Sequence, residues 1–206
     1  ATVRNKRQYN VGPIGVGRFC HVNQPDTKYN TEGVFKLDLI VDADKATEER
    51  AALEAFGKGE MEAFLTEKVK PADRKKWELH LPAKDETDDE GVPTGRVIFT
   101  YKQNAVIHLP DGSTKGIKIG VRDSKDNELT GDDARVYGGA TLRVMRALRG
   151  IPVQSAKMFT VRQDFILVQL IKPAQMKGRG FDEVEGGYVG PEDHADGATP
   201  KDDADY

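Results

Sequence analysis

The chain has 206 residues, 32% of them charged, with a mean hydropathy of −0.60 and a net charge of −3, which makes one ordinary domain with room for a real core. No run nears the roughly 18 apolar residues of a membrane span, and the basic start (Arg4, Lys6, Arg7) has no apolar segment behind it, which argues against a span or a secretory leader. One cysteine, Cys20, excludes an internal disulfide and a cysteine-based zinc site, and a soluble cytoplasmic protein is expected.

Residues 1–12 are polar and basic and read as an arm that a partner would order. Gly12 and Pro13 mark a turn. Ile14, Val16, Cys20 and Val22 are the apolar points of a weakly alternating first strand. Asn23 to Thr31 is a polar loop that contains Lys28 and Tyr29. Val34 to Val41 is a clear strand, with Phe35, Leu37, Leu39 and Val41 on one face and Lys36 and Asp38 on the other. Asp42 or Asp44 caps the next helix, with Glu48 and Glu49 in its first turn, where the dipole favours acids. Leu53, Phe56, Phe64 and Leu65 give that helix an apolar face, and Gly57 and Gly59 predict a break in it. Pro71 opens a further short helix to Trp77, so the helical insertion covers about 43–78. Asp85 to Glu90 reads as an acidic loop.

From Gly95 the chain is strand-like again. Val97, Phe99 and Tyr101 share one face; Arg96, Ile98 and Lys102 share the other. Ala105 to Leu109 is a short strand, and Asp111-Gly112 is a hairpin turn signal. Ile117, Ile119 and Val121 alternate with Lys118 and Arg122. Thr141 to Leu148 and Lys157 to Lys172 are the last strands, joined across Gly150 and Pro152. Five to seven strands around one helical insertion predict a mainly β fold: a five-stranded oligonucleotide-binding (OB) barrel over residues 13–181.

Residues 182–206 differ from all of this. They hold nine carboxylates and one cation, a balance of −8, so the first 181 residues carry +5. Such a segment, rich in Gly, Pro and Asp, buries too little to fold alone and reads as a disordered acidic interaction tail.

Most motifs that would signal catalysis fail on context. Gly12, Gly15 and Gly17 have no helix behind them to hold a phosphate. His21, His80, His108 and His194 show no metal-ligand spacing, and nothing calls for a cofactor. Pro110-Asp111 followed by Asp123-Ser124-Lys125 matches the PD-(D/E)xK pattern of metal-dependent nucleases, where two acids hold the ion that activates water. Both halves fall in turn-like stretches, so a nuclease is kept as a rival and not as the reading.

The stronger constellation interleaves cations and rings on the strands. Its members are Lys36, Phe99, Tyr101, Lys102, Lys115, Lys118, Arg122, Arg135, Tyr137, Arg143, Lys157, Phe159 and Arg162. Single-stranded nucleic acid needs both groups, cations for phosphates and flat rings on which any base can stack.

Several stretches carry a family resemblance: Gly33-Val-Phe-Lys-Leu-Asp-Leu-Ile40, Val136-Tyr-Gly-Gly-Ala140, Phe165-Ile-Leu-Val-Gln-Leu170 and Gly180-Phe-Asp-Glu-Val-Glu-Gly-Gly-Tyr188 before an acidic end. In this order they resemble the single-stranded DNA-binding proteins that tailed bacteriophages encode for their own replication. The resemblance implies an OB barrel that coats single strands during replication, recombination and repair in the host cytoplasm. It also implies a tail, ending here in Asp202, Asp203, Asp205 and Tyr206, that contacts DNA polymerase and other replication proteins. A homodimer is left open. The rivals are the nuclease above and an adaptor protein that binds no DNA.

Overall fold

The computed structural model describes residues 9–175. Five long strands form the barrel wall: β2 (Gly15–Asp26), β3 (Val34–Asp42), β6 (Pro93–Asn104), β10 (Thr141–Val153) and β11 (Met158–Lys172). The shorter strands are β1 (Tyr9–Val11), β4 (Glu78–His80), β5 (Ala83–Thr87), β7 (Val106–His108), β8 (Thr114–Gly116) and β9 (Gly120–Arg122). Helices α1 (Ala43–Lys68) and α2 (Pro71–Arg74) are inserted between β3 and β4.

β2, β3 and β6 form an antiparallel meander, and β10 and β11 an antiparallel hairpin. β10 closes one seam by pairing Thr141 and Leu142 with Val16 and Gly15 of β2. At the other seam β11 lies along β6, where the Gln163 amide donates to the Thr100 carbonyl at 3.2 Å. The expected OB barrel with its helical insertion is therefore the observed architecture. Alternation explains the core. Phe35, Leu37, Leu39 and Val41 of β3 point inward and meet Val97, Phe99 and Tyr101 of β6, Leu142 and Val144 of β10, and Phe165 and Val168 of β11.

β2 does not alternate cleanly. Gly15 and Gly17 face inward, the register against β3 slips between Arg18 and His21, and Val22 then faces inward. One extra residue has switched the parity, as a β-bulge does. Gly15 has to be glycine, because a Cβ there would lie 2.5 Å from the Ile40 carbonyl oxygen.

The structure corrects several expectations. The helix does not break at Gly57 and Gly59; α1 runs unbroken for 26 residues. Gly57 is buried, and a Cβ on it would come within 2.8 Å of Val161 and 2.9 Å of Leu79, so the glycine lets α1 lie close on the barrel. Asp42 precedes α1 but makes no side-chain cap, its carboxylate pairing with Lys45 at 3.0 Å. The acidic loop is in part a strand, β5, and its Glu86 is buried because Arg18, Arg96 and Thr94 all reach it. Gly150 and Pro152 do not separate two strands; β10 continues to Val153, and the chain reverses through Gln154–Ala156. Residues 9–11 of the expected arm pair with β10 as β1. The hairpin turn at Asp111-Gly112 joins β7 and β8 as expected. A buried Arg146 on β10 ties α1 down by pairing with Glu49 and donating to Gln163.

Candidate nucleic-acid interface

Beyond Val16, Ile40 and Ile98, which stack in register at one end, the outer face of β2, β3 and β6 is polar because the inner face takes the apolar half of each alternation. Register places Lys102 opposite Lys36 and Thr100 opposite Asp38; on the other side His21 meets Lys36 and Arg18 meets Asp38. Thr100 donates to Asp38 at 2.9 Å, and Lys36 pairs with Asp26. Arg18 reaches Asp38 at 3.7 Å and Glu86 at 3.5 Å. Lys102 is exposed and has no ion-pair partner among the described residues.

Two rings stand on this face in water. Phe19, turned outward by the bulge, is 66% exposed, and Tyr29, in the loop after β2, is 83% exposed. Each has a cation 5.1 Å from its centre, Arg18 for Phe19 and Lys28 for Tyr29. These rings line one groove with His21, Lys36 and Lys102. His21 also lines a second groove, with Arg135 and Tyr137. Thr100 and Lys102 also line a third, with Pro82, Ile151, Val153 and Arg162. Shared residues make the three grooves one track from Tyr137 to Ile151.

The electrostatics of the track are mixed. The Asp26 carboxyl is held below the usual carboxylate range, first by its hydrogen bond from Lys36 and then by the backbone N–H of Lys28. The Arg135 guanidinium is held more firmly protonated, first by its hydrogen bond to Tyr137 and then by Asp132. Burial, followed by the Asp38 charge, pushes the Cys20 thiol up to about 11, so it is no nucleophile.

Of the residues chosen from sequence, the track brings together Lys36, Lys102, Arg135, Tyr137 and Arg162. Arg162 also donates to Asn104 at 2.7 Å and pairs with Asp164 at 2.7 Å. Three chosen rings are corrected. Phe99 and Tyr101 have no exposed surface and Phe159 is 2% exposed, so none offers a face to a base. Phe99 and Tyr101 sit opposite Leu39 and Leu37 on the inward side of an unbroken register, and Phe159 packs on Phe64 of α1 with ring centres 5.7 Å apart.

The remaining cations lie off the track. Lys115 is on β8 and Lys118 follows it. Arg122 pairs with Asp126 at 2.9 Å, and Arg143 donates to Gln169 at 2.6 Å beside Val11 and Met145. Lys157 lies over the Trp77 ring at 5.7 Å. The tail residues Asp202, Asp203, Asp205 and Tyr206 fall outside the described residues.

The acids of the nuclease pattern each close their own turn. Asp111 accepts from the N–H and hydroxyl of Ser113, and Asp123 from the backbone N–H groups of Lys125 and Asn127 and the Asn127 amide. Those bonds hold both carboxyls below their usual range. Among the described residues no three His, Cys, Asp or Glu are grouped to hold a metal ion, and no helix is long and apolar enough to cross a membrane.

Sequence reasoning missed Phe19, Arg18, Lys28 and Tyr29 as site residues. A signal existed for one of them: Tyr29 follows a lysine in a loop too polar to bury a ring. Phe19 gave none, since it shares parity with the inward Gly15 and Gly17 and only the bulge turns it out.

No protein-family model and no curated protein matches the sequence. Solved structures do match by fold. The single-stranded DNA-binding protein gp2.5 encoded by bacteriophage T7 superposes with a TM-score of 0.69 at 21% identity, over 90% of this chain and 100% of that one. The single-stranded DNA-binding protein of bacteriophage Enc34 in complex with single-stranded DNA gives a TM-score of 0.53 at 12% identity, over 82% of this chain and 89% of that one.

Proposed function

We propose that this chain binds single-stranded DNA with little regard to sequence, along the track from Tyr137 to Ile151, and catalyses no reaction. The observation that carries the reading is the pairing of exposed rings with cations on one continuous surface. Phe19 with Arg18 and Tyr29 with Lys28 each offer a flat face beside a positive charge, and the exposed ring of Tyr137 lines the same track as Arg135. A base stacks on any such ring whatever its identity, for about 1–3 kcal/mol. Lys36, Lys102 and Arg162 supply charge for the phosphates, and the counterions they displace add a term that salt weakens. A duplex hides its base faces and gains only the second term. The fold shared with two phage proteins named for single-stranded DNA binding supports the same reading.

On this reading the protein serves phage DNA replication, recombination and repair in the host cytoplasm, and the −8 tail contacts replication proteins such as DNA polymerase. The defining experiment is fluorescence anisotropy with labelled oligo(dT) and a duplex of equal length, with and without magnesium. Tight, uncut binding of the single strand is expected. Magnesium-dependent cleavage would establish the nuclease instead, and no binding the adaptor.

A further inference from the structure

We propose that the bound strand runs past the end of the track onto the corner made by α2 and the β10–β11 turn, where Lys70, Lys75 and Lys157 hold its phosphates. This rests on the track being the single-strand site. Val153 lines the third groove and pairs with Met158, so Lys157 stands at the tip of the hairpin whose side the groove follows. β4 runs beside β11, with Glu78 opposite Met158 and His80 opposite Thr160, and two residues later Pro82 lines the groove. Trp77, just before β4, lies under Lys157, and the Glu78 N–H donates to the Lys157 carbonyl at 3.0 Å. One short segment thus connects the groove wall to α2.

That corner is strongly basic. Residues 68–77 contain Lys68, Lys70, Arg74, Lys75 and Lys76 against one acid, Asp73. Arg74 is occupied with the end of α1, donating to the Thr66 and Val69 carbonyls. Lys76 pairs with Asp73 and Lys68 with Glu67. Lys70, Lys75 and Lys157 are exposed and lack a carboxylate partner among the described residues. Lys70 and Lys75 cap the two ends of α2, and Trp77, two residues beyond Lys75, carries Lys157 over its ring. Cations without exposed rings, placed at the hairpin tip beyond the third groove, suit a phosphodiester whose bases have already left their stacking platforms. An acidic peptide would find the charge but has no reason to lie in line with the groove.

The test is the full chain carrying Lys70→Gln, Lys75→Gln and Lys157→Asn; asparagine tolerates the left-handed backbone of position 157 (φ 52°). Oligo(dT) of about 8 and about 25 nucleotides brackets the length that one such barrel covers. For the longer strand the variant should bind about tenfold more weakly at low salt, and its salt slope should fall by about 2, three contacts at roughly 0.7 each. The shorter strand should bind as to wild type. Equal loss on both lengths, or no change on the longer one, overturns the extension while leaving the track intact. Failure of the wild type to bind either strand removes the track and the extension together.

Discussion

β6 and β2 flank β3 in the same wall, yet their aromatic residues end on opposite sides of it. β6 keeps its register against β3 from Arg96 to Asn104, so Phe99 and Tyr101 take the inward positions beside Leu39 and Leu37. β2 loses its register between Arg18 and His21, and Phe19, with a left-handed φ of 50°, is turned out. Regular alternation makes core out of rings, and a bulge makes a binding surface out of one. A lysine next to an aromatic in sequence therefore says little until the parity of the strand is known; Tyr101 and Lys102 are neighbours on opposite faces.

The widest expected gap is in stability. Phe99→Ala or Tyr101→Ala should cost about 3–5 kcal/mol, the usual loss for a fully buried ring, and lower the melting temperature by about ten degrees or more. Phe19→Ala should leave the melting temperature nearly unchanged. A calorimetric scan that found Phe19→Ala destabilised and Tyr101→Ala unaffected would reverse the assignment of the two faces.

The same pair diverges again in binding. Phe19→Ala and Tyr29→Ala should each weaken oligo(dT) binding by about 1–3 kcal/mol, the worth of one stacked base. Phe19→Gly sharpens the point, because an aromatic at positive φ carries strain of about 1 kcal/mol or more that glycine does not. That variant should be at least as stable as wild type and still bind poorly. Loss of both stability and affinity in Phe19→Gly would mean that the ring packs against protein rather than DNA.

Much of this was legible in the sequence, and the rest was not for identifiable reasons. The alternation of β3 and the Asp111-Gly112 turn are local signals, and both hold. The continuity of α1 through Gly57 depends on Val161 and Leu79, which lie far away in sequence. In sequence β5 reads as an acidic loop because a buried glutamate is improbable without partners, and its partners Arg18 and Arg96 sit on other strands. In the site, Lys36, Lys102, Arg135, Tyr137 and Arg162 could be picked by type alone. Adjacency to a cation does not pick the rings, because it ignores the regular parity of β6 that buries Phe99 and Tyr101 and the one-residue slip in β2 that turns Phe19 to water.

Charge separates the two strands more weakly than rings do. Lys102 on β6 has no anionic partner among the described residues, whereas Lys36, directly across on β3, is held by Asp26 at the end of β2. Lys102→Ala should lower the salt slope of oligo(dT) binding by about 0.7, one phosphate contact. Lys36→Ala should lower it by less, since a phosphate must first displace Asp26. Equal slopes for the two variants would mean that the Lys36–Asp26 pair does not survive DNA binding.

Asp26 gives the smallest effect and the most direct test of that competition. Its carboxylate stands in the groove with Phe19, Tyr29 and Lys36, an anion where phosphates are meant to pass. Asp26→Asn removes the charge, keeps the size, and leaves Lys36 to the DNA. Affinity should rise about twofold to threefold at low salt and by less at high salt, as salt screens the half-buried pair. The sign with pH is fixed by the direction of the shift. The Asp26 carboxyl is lowered from 3.8, first by Lys36, so its contribution to folding is complete above that value and is lost only as pH falls through the lower one. Asp26 therefore stays ionised from pH 6 to 8, and the gain from Asp26→Asn should be constant across that range. A gain that changed across that range would mean that the Asp26 charge is not what governs entry of the strand into the groove.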